Sequence, residues 1–82
     1  MQRFRIRTPS QLQAALRTLR SVQELTQSEL GRKVGLSQER ISAIENHPER
    51  LTLDQLLTVL MALEVELVIE FRSAPTHSKA DW

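Results

Sequence analysis

Residues 26–46, TQSELGRKVGLSQERISAIEN, constrain the fold more tightly than any other part of the chain. Thr26 offers a side-chain oxygen to a helix start. Glu29, three residues on, can reach back to the Thr26 backbone N–H, which makes a capping box. Leu30 and Val34, four apart, share one face of that helix. Gly35 follows the last apolar position, where a helix ends in the left-handed conformation that glycine adopts at least cost. Leu36 is expected to pack back between the helices, Ser37 to cap a second helix, and Ile41 and Ile44 to form its buried stripe. Gln38, Glu39, Arg40 and Ser42 are then left near the start of the second helix, pointing outward. Two short helices about a tight turn have helix-turn-helix geometry, in which the second helix can enter a DNA major groove with its N-terminal side chains at base edges. A plain helical hairpin with a solvated polar surface has the same spacing and is the alternative reading.

A chain of 82 residues is one domain, small enough that a second copy would add to its stability. It has no cysteine, which excludes a disulfide framework and a thiolate metal site. No apolar run approaches the roughly 20 residues needed to cross a bilayer. The N-terminus carries arginines without the apolar stretch of a signal peptide, so the expected location is cytoplasmic, with no membrane partner. Net charge is only +1, but it is unevenly spread. Residues 1–25 carry five basic groups against one acid, residues 26–50 four of each, and residues 51–82 two basic groups against five acids, giving +4, 0 and −3. A basic front and an acidic back suit a protein with one face toward phosphates, although a small charge dipole also arises by chance.

Residues 2–7, QRFRIR, alternate, with Gln2, Phe4 and Ile6 on one face and three arginines on the other, the period of a half-buried strand. Thr8-Pro9 breaks it, and the arginines read more readily as a solvated strand face than as DNA contacts. Ser10 is expected to cap a helix running to about Gln23. Leu12, Leu16 and Leu19 form its core stripe, Ala15 and Val22 lie alongside, and Arg17 and Arg20 lie outside. Asn46 falls at the end of the second motif helix and Pro48 stops any continuation. His47 and His77 are isolated, without the spaced partners a metal site needs, so no metal or other cofactor is expected. Thr52 and Gln55 form another capping box. Leu53, Leu56, Leu57, Leu60 and Leu63 make the core stripe of the last helix, while Val59 and Met61 extend apolar surface beyond it, the mark of a contact with a second copy. In residues 65–72, VELVIEFR, Val65, Leu67, Ile69 and Phe71 share a face, which predicts a second strand. Its acidic side could oppose the basic side of the first strand across a ladder. Two strands alone are marginal in water, so strands from two protomers are expected to join in a sheet that closes a dimer. Residues 1–72 thus form the domain and 73–82 a flexible tail, whose Trp82 is either decoration or an anchor for a partner.

The residues Thr26-Gln27, Leu30, Val34-Gly35, Ser37-Gln38, Ile41-Ser42 and Ile44-Glu45-Asn46 resemble the Xre/Cro-type helix-turn-helix of bacterial and phage repressors. The order of elements along the whole chain, from a first strand to a polar tail ending in tryptophan, resembles the HipB-type antitoxins, which are encoded beside HipA-type kinase toxins. The resemblance implies a mainly α, four-to-five-helix domain of the lambda-repressor-like class with short terminal strands. It also implies roles for matching residues. Gln27 would touch a phosphate, aided by its helix N-terminus. Ser37, Gln38 and Glu39 would read bases, with Gln38 suited to adenine N6 and N7 and Glu39 to a cytosine amino group. Arg40 would reach guanine or a phosphate, Ser42 would permit close groove approach, and Asn46 would hold the backbone at the far end. Glu39 places a negative charge near DNA, and His47-Pro48 stands where a glycine commonly follows the motif. Both depart from the family pattern.

The expected function is therefore that of a dimeric repressor on a palindromic operator, the antitoxin of a HipA-type kinase module that represses its own operon. A stand-alone Xre-type regulator without a toxin, and an interaction module that holds a protein partner without reading DNA, are the rival readings. No nucleophile–base spacing or phosphate loop supports an enzyme.

Overall fold

Threonine and serine side chains start every α-helix of the described residues, 3–73 in the computed structural model. The helices are α1 (Pro9–Val22), α2 (Gln27–Val34), α3 (Gln38–Asn46) and α4 (Leu53–Ala62), with a 3-10 turn (Pro48–Arg50) between the last two. Thr26 Oγ1 accepts from the Glu29 N–H at 3.0 Å, and Glu29 Oε1 accepts from the Thr26 N–H at 2.9 Å. Thr52 and Gln55 repeat this arrangement at 3.1 and 3.0 Å. Ser37 Oγ caps α3 by accepting from the Arg40 N–H at 3.1 Å. At α1 the cap is Thr8, not the expected Ser10: Thr8 and Gln11 form the capping box, and Pro9 takes the first helical position, where its missing N–H has no consequence.

Gly35 ends α2 at φ 74°, with the Leu36 N–H donating to the Gly31 carbonyl at 2.8 Å. Two glutamates do the same at other helix ends. Glu24 (φ 55°) follows α1 and Glu64 (φ 62°) follows α4. Beyond them the Leu25 and Val65 N–H groups donate back to the Arg20 and Leu60 carbonyls, both at 3.0 Å. Gln23 Nε2 ties the two ends together by donating to the Leu63 carbonyl at 3.3 Å.

The core is built from Leu16 of α1, Leu30 of α2, Ile41 and Ile44 of α3, Val59 and Leu60 of α4, and Leu63 after it. Leu12, Leu19, Leu25, Val34, Leu51, Leu56, Ala62 and Val65 pack around it. Several residues depart from the sequence-based expectation. Val59, expected on an outer contact face, is buried in the protomer's own core. Leu53 and Leu57, expected in the core stripe, are 64% and 39% exposed, and Val22 is also outside. Leu36 is only partly covered. The α4 sequence carries two overlapping apolar stripes, and the one containing Leu56, Val59, Leu60 and Leu63 is the one that meets the other helices.

Among the described residues neither expected strand forms. The stretches 3–7 and 65–71 are irregular, although Arg3 Nη1 meets Glu70 Oε2 at 3.0 Å, so the two ends of the domain lie side by side as the opposed charges suggested. The pair is exposed and contributes at most about 1 kcal/mol. A strand pairing in one chain lacks a cause here. Val65 packs on the core, but Leu67, Ile69 and Phe71 find nothing to cover them, and a lone two-stranded unit is marginal. Gln2 and residues 74–82, including Trp82, lie outside the described residues.

Candidate nucleic-acid interface

The helix-turn-helix is set by how closely α2 approaches the turn that follows it. Gly31 is buried in α2, and a Cβ there would run into the Leu36 carbonyl oxygen. A glycine at this point lets the turn fold back over α2 and fixes the angle at which α3 leaves. Ser37 then caps α3, and Gln38, Glu39 and Arg40 stand exposed on its first turn. Ser42 lies half-buried behind them.

A chain of polar contacts runs from this surface into the core. Gln38 Nε2 donates to Gln27 Oε1 at 2.6 Å, and Gln27 Nε2 donates to Glu45 Oε1 at 3.1 Å. Glu45 lies on the buried side of α3, 2% exposed. It is held by Arg20 of α1, whose Nε and Nη2 donate to Oε2 and Oε1 at 2.6 and 3.2 Å, the two-pronged geometry that favours arginine over lysine. Arg20 Nη1 also donates to the Leu25 carbonyl at 3.0 Å. Among the described residues no buried side-chain nitrogen or oxygen lacks a partner, as a polar group placed in a core requires.

The structure thus brings Gln27, Ser37, Gln38, Glu39 and Arg40 into one patch. Asn46 sits at the other end of α3, where its Oδ1 accepts from an Arg17 Nη2 group of α1. Arg20 is not on the outer side of α1 as expected but partly buried, turned toward Glu45. Glu45, Gly31 and the placement of Arg17 were missed by sequence reasoning. Signals existed for the first two. Glu45 follows Ile41 by one helical turn and so falls on the buried face. Gly31 stands inside a helix, where it is unfavourable by about 1 kcal/mol relative to alanine unless close packing needs it.

Local electrostatics follow from the caps. The Glu29 carboxyl is held below the usual carboxylate range, first by the Thr26 backbone N–H and then by the Thr26 hydroxyl. His47 Nδ1 lies 3.3 Å from Glu49, an exposed contact that fits a surface loop. Among the described residues no cluster of acids and histidines could hold a metal ion, and no helix is long and apolar enough to cross a membrane.

A second surface is apolar. Leu53, Leu57 and Met61 follow one another at four-residue spacing along α4, and Met61 is 75% exposed. Leu67, Val68, Ile69 and Phe71 add to the exposed apolar area, with Ile69 at 94%.

A family described as a helix-turn-helix domain matches residues 2–72. Antitoxin HipB of Escherichia coli (strain K12) is 37% identical over 65 residues, 79% of this chain and 74% of that protein. This chain belongs to the HipB-type helix-turn-helix antitoxins. The HipB antitoxin of Escherichia coli O6:H1 is 35% identical over the same length, covering 69% of that protein. Among solved structures, HipB from an O2 20mer complex superposes with a TM-score of 0.78 at 32% identity, covering 88% of this chain and all of the other. A chain from a HipA-HipB-O2-O3 complex gives 0.75 at 35% identity, covering 84% and 97%. The HipB-type fold thus accounts for the four helices, and the mainly helical class expected from the sequence holds.

Proposed function

We propose that this chain is a dimeric, sequence-specific DNA-binding repressor, the antitoxin of a HipA-type kinase module that represses its own operon. The observation that carries it is the exposed first turn of α3, where Gln38, Glu39 and Arg40 are presented together and Gln38 is anchored from behind. Similarity to HipB chains in O2 and HipA-containing complexes supports the same reading. Gln38 reads an adenine, Glu39 accepts from a cytosine amino group, and Arg40 reaches guanine or a phosphate. Ser42 leaves room for the groove wall. Gln27 donates its second amide hydrogen to a phosphate at the α2 N-terminus. Asn46, with Arg17 beside it, holds the backbone at the far end.

A second copy covers the face formed by Leu53, Leu57 and Met61. The stretches 3–7 and 65–71 of two protomers, the latter carrying Val65, Leu67, Ile69 and Phe71, then supply the four strands of a shared sheet. The kinase docks on the flanks of that dimer, and the protein works in the cytoplasm by binding alone, without chemistry of its own. A reporter gene placed under the DNA upstream of the chain's own gene tests the proposal. Repression by the intact protein that is lost with Gln38→Ala is the expected result, and reporter output unchanged by the intact protein contradicts it.

A further inference from the structure

We propose that the buried Glu45 carboxylate is a positioning residue for base readout: it fixes which end of the Gln38 amide faces outward, and so makes α3 prefer adenine over guanine. The inference rests on the DNA-binding reading above. It follows from which atoms can donate. As the carboxylate partner of the Arg20 guanidinium, Glu45 is acceptor-only. Its Oε1 lies 3.1 Å from the Gln27 amide, so the Gln27 atom facing it must be the NH2 group. The other end of Gln27 is then an oxygen, and the Gln38 atom 2.6 Å from it must again be an NH2 group. One buried charge therefore sets the direction of two amides in sequence.

The consequence lies at the open end. Gln38 is left with its Oε1 and one N–H unused. Adenine offers an amino donor and the N7 acceptor in the major groove, which match that pair. Guanine offers two acceptors, O6 and N7, so a fixed Gln38 oxygen would face O6, acceptor against acceptor. A free amide escapes this by turning its NH2 group outward. An anchored amide cannot turn without breaking its bond to Gln27 or leaving the Gln27 oxygen facing another oxygen. Glu45 thus contributes to rejecting the wrong base, a repulsive element of specificity, without touching DNA.

The test compares duplexes that carry A·T or G·C at the base pair whose identity ceases to matter in Gln38→Ala. The ratio of the two affinities is the readout, so any phosphate contact of Gln27 cancels. The intact protein is expected to prefer A·T by about tenfold or more. Gln27→Met breaks the relay while keeping the Arg20–Glu45 pair, and is expected to reduce that preference to about threefold or less. The exchanged variant, Gln27→Glu with Glu45→Gln, again places an acceptor-only group before Gln38 and is expected to retain the preference. Glu45→Gln alone keeps its oxygen on Arg20, turns an NH2 group toward Gln27 and so reverses both amides. It is expected to lose the preference for A·T, which a purely structural Glu45 does not produce. Full preference in Gln27→Met overturns the positioning role and leaves the DNA reading intact, as does lost preference in an exchanged variant whose circular dichroism is native. Absence of preference at every base pair in the intact protein overturns the DNA reading itself. Should the exchanged variant fail to fold, Glu45→Gln with native circular dichroism decides the matter, and full preference in it overturns the positioning role.

Discussion

Arg20 and Glu45 are the residues on which the interior depends most sharply. Removing one partner of a buried ion pair leaves an uncompensated charge, a loss of about 3–5 kcal/mol, whereas replacing both with apolar side chains of similar size is close to neutral. Arg20→Ala is therefore expected to destabilise by that amount in urea denaturation, and Arg20→Met combined with Glu45→Met by much less than the two single changes added together. Glu24 and Glu64 hold a left-handed conformation that costs an ordinary residue about 1–2 kcal/mol. After allowing for the greater chain entropy of glycine, Glu24→Gly and Glu64→Gly are each expected to raise stability by about 0.5–1 kcal/mol. A loss of stability in either would refute this account of those helix ends. On the surface, Gln38→Ala is expected to weaken the specific site by about 1–3 kcal/mol and relax one base position, while affinity for random DNA stays unchanged in titration. At this scale the apolar positions Leu30, Ile41 and Ile44 were legible because periodicity marks them. Arg20 was not, because a charge on a single helix reads as surface until its partner on another helix is known.

The elements themselves were legible where a local signal was complete. The boxes at Thr26 and Thr52, the left-handed Gly35 and the Ser37 cap each satisfy helix-end groups within four or five residues, so sequence alone locates them. Ser10 was misjudged because Thr8 with Pro9 and Gln11 competes for the same helix start and makes two bonds where Ser10 could make one. The α2 box should also respond to pH. The native Glu29 carboxyl titrates below its ordinary value, because the Thr26 backbone N–H and then the Thr26 hydroxyl bond to its charged form. Its contribution is fully present above that ordinary value and is lost as pH falls through the lowered native one. The stability gap between the intact protein and Glu29→Gln should therefore be open at neutral pH and close under acid conditions. A gap that is constant across the range would contradict this. The terminal strands were not legible for a protomer, since alternation reports a half-buried face but not what covers it. In one chain Leu67, Ile69 and Phe71 have no cover, and no ladder forms among the described residues.

For the whole molecule, the uncovered apolar surface is the feature that one chain leaves open. Leu53 and Leu57 were assigned to the core and Val59 to the outer face because two apolar stripes overlap on α4, and only the packing of that helix against the others separates them; Met61 was correctly placed outside. If a second copy covers this face, the protein is a dimer at tens of micromolar, and Met61→Asp shifts its mass in light scattering toward that of one chain while its helical signal persists. A wild-type monomer would contradict the assignment. A two-fold dimer places its α3 helices one DNA turn apart, ~34 Å, or a multiple of that. Selection of bound duplexes from a random pool at near-physiological salt tests this account most directly. It predicts a palindrome whose half-sites have that spacing and share an adenine that depends on Gln38. Recovery of unrelated sequences, or of nothing above background, would contradict it.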